Sequence, residues 1–333
     1  MPPRVHITSD DPEEFDETVI QHLKDEGFDV TYLPYKGDPK HITAYGQAAA
    51  ICLDVAIKPM PHLCTLVAYY PTKIPSPKTK FPPHLNVQVH LAADQGFAPA
   101  FNSYIYQDVQ PGFAEHDLDE YDKVAASLAW TRTLGALRKG FKVDVNLEEV
   151  WEKHVALEFM AKDAEATMRT MVDEPYVNHI PTLTGGIGYK DLFRFYRDFF
   201  IPNNPPTMKI KLVSRTSGID RVVDEMVISF RHTQQVPWML PDVPPTNKEV
   251  SVALVSVVCI RGGKLYHEHI YWDQASVLVQ IGLLDPKLVP NNMKQKGLKR
   301  LPVYGAETAQ KVLDEESHPS NELLSSWGTA NRS

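Results

Sequence analysis

Two β-rich stretches, residues 249–261 and 264–273, flank Gly262 and Gly263. A tight primed turn needs positive φ, which glycine adopts without strain, so this spacing predicts a hairpin. The first stretch is almost wholly apolar and reads as a buried strand. The second alternates, with His267, His269, Tyr271 and Asp273 on one face and Glu268, Ile270 and Trp272 on the other. Two histidines, a tyrosine and an aspartate in one row beside an apolar strand predict a polar row directed into a pocket. The plainer alternative is a solvated edge-strand face.

Hydrophobic spacing elsewhere divides the chain in two. In the first half a strand is expected near Val5, then a helix over residues 12–26 with Phe15, Val19, Ile20 and Leu23 on one stripe. A strand over 28–33 follows, and the order suggests a βαβ unit with parallel strands. Ile42 to Tyr45 leads through Gly46 into an apolar helix. Strands are expected over 63–70 and 86–91, a proline-rich loop over 71–84, and a helix over 121–139. In the second half helices come first, over 145–160, 164–172 and 189–200. Long strands follow at 209–216, 221–232, 250–260 and 264–273. Helices followed by a run of antiparallel strands are an α+β pattern. The expected division is 1–143, 144–290, and a partly disordered extension 291–333.

At 333 residues the chain exceeds the roughly 250–300 residues that one core comfortably serves, which favours two domains. The net charge of -8 argues against a nucleic-acid binder or a ligand of anionic membranes. No apolar run approaches the ~20 residues of a membrane span, and residues 1–6 carry no apolar signal segment. Cys52, Cys64 and Cys259 lack metal-ligand spacing and read as small buried hydrophobes, an odd count that fits a reducing, cytoplasmic setting.

The turn after Tyr45, Tyr69-Tyr70, Val89-His90-Leu91, and Pro111-Gly112-Phe113-Ala114 followed by Tyr121-Asp122 and Ala129-Trp130 resemble the dienelactone hydrolase branch of the α/β-hydrolases over residues 4–140. That resemblance implies a truncated parallel sheet whose nucleophile turn reads Gly46-x-Ala48-x-Ala50. Alanine has no nucleophilic atom, and Pro111 stands where the family's histidine precedes Gly-Phe, leaving only Asp94 to match the acid. His116 is the one nearby substitute base. The half is therefore read as a catalytically silent hydrolase-like domain.

Asp163-Ala-Glu-Ala, Tyr176-Val-Asn178-His179, Gly185-Gly-Ile-Gly188, Phe195-Tyr196, Val223-Asp224-Glu225, Pro244-Pro245-Thr246 and Gly263-Lys264 through Trp272-Asp273 resemble the SnoaL-like polyketide cyclases of the nuclear transport factor 2-like superfamily, over about residues 147–285. The resemblance implies an α+β cone around a pocket, a small-molecule substrate, no cofactor, and room for a homodimer. It makes Asp273 the candidate acid/base, although an aspartate before a helix is also a favoured cap. It sets His179 at the pocket mouth, where the turn before Pro181 could equally satisfy it. Glu225 sits in an otherwise apolar strand and needs a partner or a proton. Alternation leaves open whether Glu225 or Asp224 faces the cavity. His269 and Tyr271 are placed to hold a carbonyl or enolate oxygen, with Asn178, His232, Trp238 and Tyr196 as substrate contacts or pocket wall. A zinc site on His267 and His269 would need a third ligand such as His232 or His179, and no metal is expected.

The reading that follows is a cofactor-free cyclase, dehydratase or isomerase acting on a small polyketide-like or lactone substrate. A non-catalytic binding module is the alternative. An esterase with an unrecognised nucleophile is a third.

Overall fold

The computed structural model describes residues 2–11, 14–34, 43–76, 78–97 and 101–327. The chain forms two compact units, Met1–Asn146 and Leu147–Ser333.

In the first unit β1 (Arg4–Thr8), α1 (Glu17–Asp25) and β2 (Asp29–Tyr32) make the expected βαβ unit. Its strands pair in parallel from Arg4↔Asp29 to Ile7↔Tyr32. The helix starts at Glu17 because the Asp16 carboxylate accepts from the Thr18 and Val19 amides, at 2.8 and 3.2 Å. Residues 12–13, where the sequence reading began this helix, lie outside the described residues. Next come β3 (Thr43–Tyr45), α2 (Gly46–Val55), β4 (Thr65–Tyr69), β5 (Asn86–Ala92), β6 (Ser103–Tyr106) and α3 (Lys123–Phe141). Every pairing in the sheet, ordered β2-β1-β3-β4-β5-β6, is parallel. The central strands are buried on both faces, as parallel strands are, and β5 holds Gln88 and His90 inside that layer.

The second unit opens with α4 (Leu147–Ala156), which widens into a π-helical turn, Leu157–Ala161. Then come α5 (Ala164–Arg169), β7 (Met171–His179), β8 (Thr184–Ile187) and α6 (Gly188–Arg194). α6 also widens into a π-helical turn, Phe195–Phe200. The long strands are β9 (Lys209–Ser217), β10 (Arg221–Arg231), β11 (Glu249–Arg261) and β12 (Lys264–Trp272). The unit ends with α7 (Gln274–Ile281), α8 (Asn291–Lys294) and α9 (Glu307–Leu313). The sheet order is β8-β7-β12-β11-β10-β9.

The sheet is not wholly antiparallel: β12 and β7 run parallel, with His267↔Tyr176 and Ile270↔His179 in register. Well over a dozen residues separate these strands, which leaves room for such a crossover. Within residues 291–333, α9 lies on β10 and β11 with Ala309 fully buried. Residues 328–333, part of the tail read as disordered, lie outside the described residues.

Gly262 and Gly263 turn the β11–β12 hairpin with φ of 55° and 70°, the left-handed values a primed turn requires. Two bulges set which side chains face inward. On β12, Ile260 pairs Leu265 but Cys259 pairs His267, so Tyr266 is an extra residue. On β9, Glu225 pairs Ser214 but Met226 pairs Leu212, so Val213 is extra. A one-residue insertion reverses the face of every side chain beyond it.

Candidate functional site

The inner face of the second sheet carries Asp224, Met226 and Ile228 from β10, Leu254 and Ser256 from β11, and Glu268 and Ile270 from β12. Together with the two π-helical turns it encloses a cavity of about 570 Å³. Each widened turn supplies wall residues: Glu158 and Phe159 from one, Tyr196 and Phe200 from the other. π-turns often mark functional sites because the extra residue re-aims the side chains around it. Met160, Met208, Ile210 and Leu212 line the cavity while retaining exposed surface, and they mark its mouth.

At the polar end, one atom each of His154, Glu158 and Glu268 lie within 4.8 Å of one another, and all three residues are buried. His154 and Glu158 stand four apart on the inner side of α4 and its π turn, with Nε2 and Oε1 3.1 Å apart. The other ring nitrogen, Nδ1, lies 2.6 Å from Thr170 Oγ1. The Thr170 hydroxyl spends its single proton on the Thr167 carbonyl at 2.6 Å, so it accepts from His154 Nδ1–H. A proton must then lie between Nε2 and Glu158, which binds the two as one unit. Tyr196 adds its hydroxyl as a donor to Glu158, and burial, then the Glu158 carboxylate beside it, keeps that phenol protonated.

Glu268 has no hydrogen-bond partner among the described residues. Its pKa is pushed well above the usual carboxylate range, first by burial and then by the Glu158 and Asp224 charges. It is a neutral acid facing an apolar space. This shift costs stability at high pH. With the folded pKa above the unfolded one, the cost is absent below the unfolded value and grows as pH rises toward the folded value. Glu268→Gln is therefore expected to raise the melting temperature at pH 8 and leave it nearly unchanged at pH 4. An equal shift at both pH values would contradict the neutral-acid assignment.

Asp224 is committed elsewhere. Arg215 grips it twice, Nε to Oδ1 at 2.7 Å and Nη2 to Oδ2 at 2.9 Å, while Trp151 Nε1 donates to Oδ2 at 2.8 Å. The bulge at Val213 makes this pair, since it brings Leu212 and Arg215 to the same face. Beside it Ser256 Oγ is buried without a hydrogen-bond partner among the described residues, directly across from Asp224 and Ile270 in the register.

At the other end Trp238 Nε1 donates to Asn204 Oδ1 at 3.0 Å. His179, buried among Phe195, Phe200, Trp238 and Trp272, donates from Nδ1 to the Thr184 carbonyl at 3.1 Å. Burial lowers its pKa to about 4, so the ring is neutral.

The residues expected from sequence are thus redistributed. His179, Trp238 and Tyr196 line the cavity. Asp273 does not: it is exposed and caps α7, accepting from Ala275 N at 3.0 Å and Ser276 Oγ at 2.5 Å. His269 lies on the outer face, stacked on His267 at 4.9 Å, and Tyr271 on that face is 43% exposed. Asn178 shares the outer side, half-buried. Glu225 faces outward and accepts from Ser214 Oγ at 3.0 Å. His232 is buried outside the cavity lining, its Nδ1 accepting from the Thr246 amide at 3.3 Å. The bulge at Tyr266 accounts for the row on β12. Counted by strict alternation from buried Leu265, the histidines would point inward, and the extra residue turns Glu268, Ile270 and Trp272 inward instead.

His154, Glu158, Glu268, Ser256 and Asn204 were not singled out. The signal present was His154 and Glu158 at i,i+4 spacing within an apolar stripe, and one carboxylate alternating with Ile270 and Trp272. His154, Glu158 and Glu268 also form the trio among the described residues whose donor atoms converge closely enough for a metal ion.

In the first unit the turn at Gly46 carries no reactive group. The Asp10 carboxylate covers the start of α2, accepting from Gln47 N and Ala48 N at 2.8 Å each. His116 pairs with Asp16 at 2.8 Å, and Asp94 is exposed. Glu115 is pushed up to about 7 by burial and is hydrogen-bonded by the Tyr70 hydroxyl. Burial also raises the Cys52 and Cys259 thiols, to about 12 and 11, so neither is poised as a nucleophile.

No family model matches the chain, and no curated protein matches it. Solved structures do. TsrD from Streptomyces laurentii is 17% identical, with 42% of this chain and 100% of that chain covered and a TM-score of 0.35. A protein assigned as a SnoaL-like polyketide cyclase, from Jannaschia sp. CCS1, is 16% identical over 43% of this chain and 99% of its own, with a TM-score of 0.34. A protein with a ketosteroid isomerase-like fold, from Catenulispora acidiphila, is 14% identical over 41% and 94%, at 0.32. The likeness falls on the C-terminal part and is one of fold. The resemblance of residues 4–140 to dienelactone hydrolases finds no support in these comparisons. No helix among the described residues is long and apolar enough to cross a membrane.

Proposed function

We propose that the second unit is a cofactor-free acid/base enzyme of the cyclase, dehydratase or isomerase kind, moving a proton beside a carbonyl of a small, largely apolar substrate. One observation carries this reading: an unpartnered, neutral Glu268 converges with the Glu158–His154 pair at one end of an otherwise apolar cavity. Two carboxyl groups with opposed environments divide the roles of acid and base. Glu158, held by His154 and Tyr196, takes the proton α to the carbonyl. Glu268 donates to the carbonyl oxygen as charge develops there, and Ser256 Oγ is an additional donor on the same face. The proton then returns from Glu158 to the same or a conjugated carbon, which gives exchange or isomerisation; in a closure the enolate carbon instead attacks a second carbonyl of the substrate, whose π bond breaks, and the proton passes to the resulting alkoxide oxygen. Asp224 and Arg215 neutralise each other and close this end of the cavity.

The test is deuterium exchange at the α-carbons of 2-tetralone, followed by proton NMR with a chelator present. Wild-type protein is expected to accelerate exchange over buffer, with the acceleration unchanged by the chelator. No acceleration, or full loss on chelation, rejects the reading.

A further inference from the structure

The end of the cavity remote from Glu268 carries two hydrogen-bonding atoms that the proton-transfer reading leaves unused. Asn204 is 8% exposed, yet its Nδ2 is buried without a hydrogen-bond partner among the described residues. The amide cannot be turned to hide this. Trp238 Nε1 is a donor only, so the atom facing it at 3.0 Å must be the oxygen, and the NH₂ must point away. His179 is 3% exposed, and its Nδ1 proton is fixed on the Thr184 carbonyl. Its Nε2 is therefore a bare acceptor, with no hydrogen bond among the described residues. Both residues line the cavity, and both lie against Trp238, the His179 ring at 5.1 Å between centroids. A free donor and a free acceptor beside one buried indole are costly unless something fills them.

We propose that this end is a subsite for a hydroxyl group of the substrate, with Asn204 Nδ2 donating to the hydroxyl oxygen and His179 Nε2 accepting its proton. A hydroxyl satisfies both atoms at once. A ketone or ether satisfies only the first, and a hydrocarbon neither. The subsite stands at a definite distance from the reacting end. His179 is in register with Ile270, and Ile270 is one two-residue step, about 7 Å, along β12 from Glu268. That is the order of the span across a pair of fused six-membered rings. The aromatic walls, Phe200 and Trp238 among them, suit a flat ring system. The inference rests on the proposed function and deepens it: the substrate is a neutral, ring-built hydroxy-ketone, with the reacting carbonyl and the hydroxyl at opposite ends. His179 and Asn204 then set specificity and take no part in the proton transfer.

The experiment compares 2-tetralone with 6-hydroxy-2-tetralone by calorimetric titration of the full chain, with α-deuterium exchange of both ketones measured alongside. Wild-type protein is expected to bind the hydroxy-ketone about tenfold or more tightly, because a site built to hydrogen-bond a hydroxyl rejects the analogue lacking it. His179→Phe keeps the aromatic packing and removes the acceptor. Asn204→Asp keeps the oxygen for Trp238 and removes the donor. Each is expected to cut the preference below about threefold, the loss of one hydrogen bond. Equal affinities in wild-type protein overturn the subsite without recourse to any variant. So does a preference that survives both substitutions. Exchange of both ketones with no hydroxyl preference defeats the subsite and leaves the proton-transfer reading standing. A preference without exchange supports the subsite and defeats that reading.

Discussion

Glu158→Gln is expected to lower α-proton exchange by about 10²–10⁴-fold, the usual contribution of a positioned general base. The amide keeps the size of the carboxylate but cannot take a proton. Glu268 should answer differently to the same change. As a neutral donor it is partly replaced by the glutamine NH₂, so Glu268→Gln is expected to cost about tenfold or less. Glu268→Leu, which removes the donor, is expected to cost roughly 10²–10³-fold, the loss from deleting one oxyanion donor. If Glu268→Gln were as damaging as Glu158→Gln, the roles would be reversed. The pH profile carries the same information. Activity needs Glu268 protonated, so kcat should fall as pH rises through its elevated pKa. That alkaline limb should disappear in Glu268→Gln. Steady-state exchange rates across pH, with the two glutamine variants side by side, decide between the assignments.

Asp224→Ala is expected to destabilise the second unit by about 3–5 kcal/mol, the cost of breaking a buried ion pair from one side. The substitution leaves the Arg215 guanidinium and the Trp151 indole N–H without the carboxylate that now receives three hydrogen bonds. Arg215 retains Glu152 at 2.9 Å, but that contact lies at the surface and is worth far less. The paired change Arg215→Met with Asp224→Leu should recover most of the loss, because it removes both charges together. Denaturant unfolding measures both. A small loss in Asp224→Ala would mean that the cavity end tolerates an open charge, and the view of this pair as a neutralised wall would have to be abandoned.

Much of the architecture was legible because its signals are local. Gly262 and Gly263 forced a turn, the order of strand, helix and strand over residues 5–33 gave a parallel pair, and Asp273 carried the cap chemistry its helix uses. The alternation of β12 was also plain, and it sorted the histidines from Glu268 correctly. What alternation lacks is a sign: it tells which residues share a face and says nothing of which face meets the cavity. Polar residues crowded on one side looked like a site, whereas solvent is the cheaper place for them. The lone carboxylate among Ile270 and Trp272 was the expensive placement and hence the informative one.

The amino-acid sequence by itself determined the long strands and most helices with their order, the hairpin at Gly262-Gly263, and the absence of a nucleophile at Ala48, since all of these follow from residues near one another in the chain; it did not give β6 or β8. Only the tertiary structure decided the site. The extra residues Tyr266 and Val213 reverse the faces of β12 and β9, and this depends on register with a neighbouring strand. The meeting of His154 and Glu158 with Glu268, more than a hundred positions away, depends on how α4 and its π turn lie over the sheet. A pattern within one strand cannot encode which partner it will face, and that partner fixes where the chemistry falls.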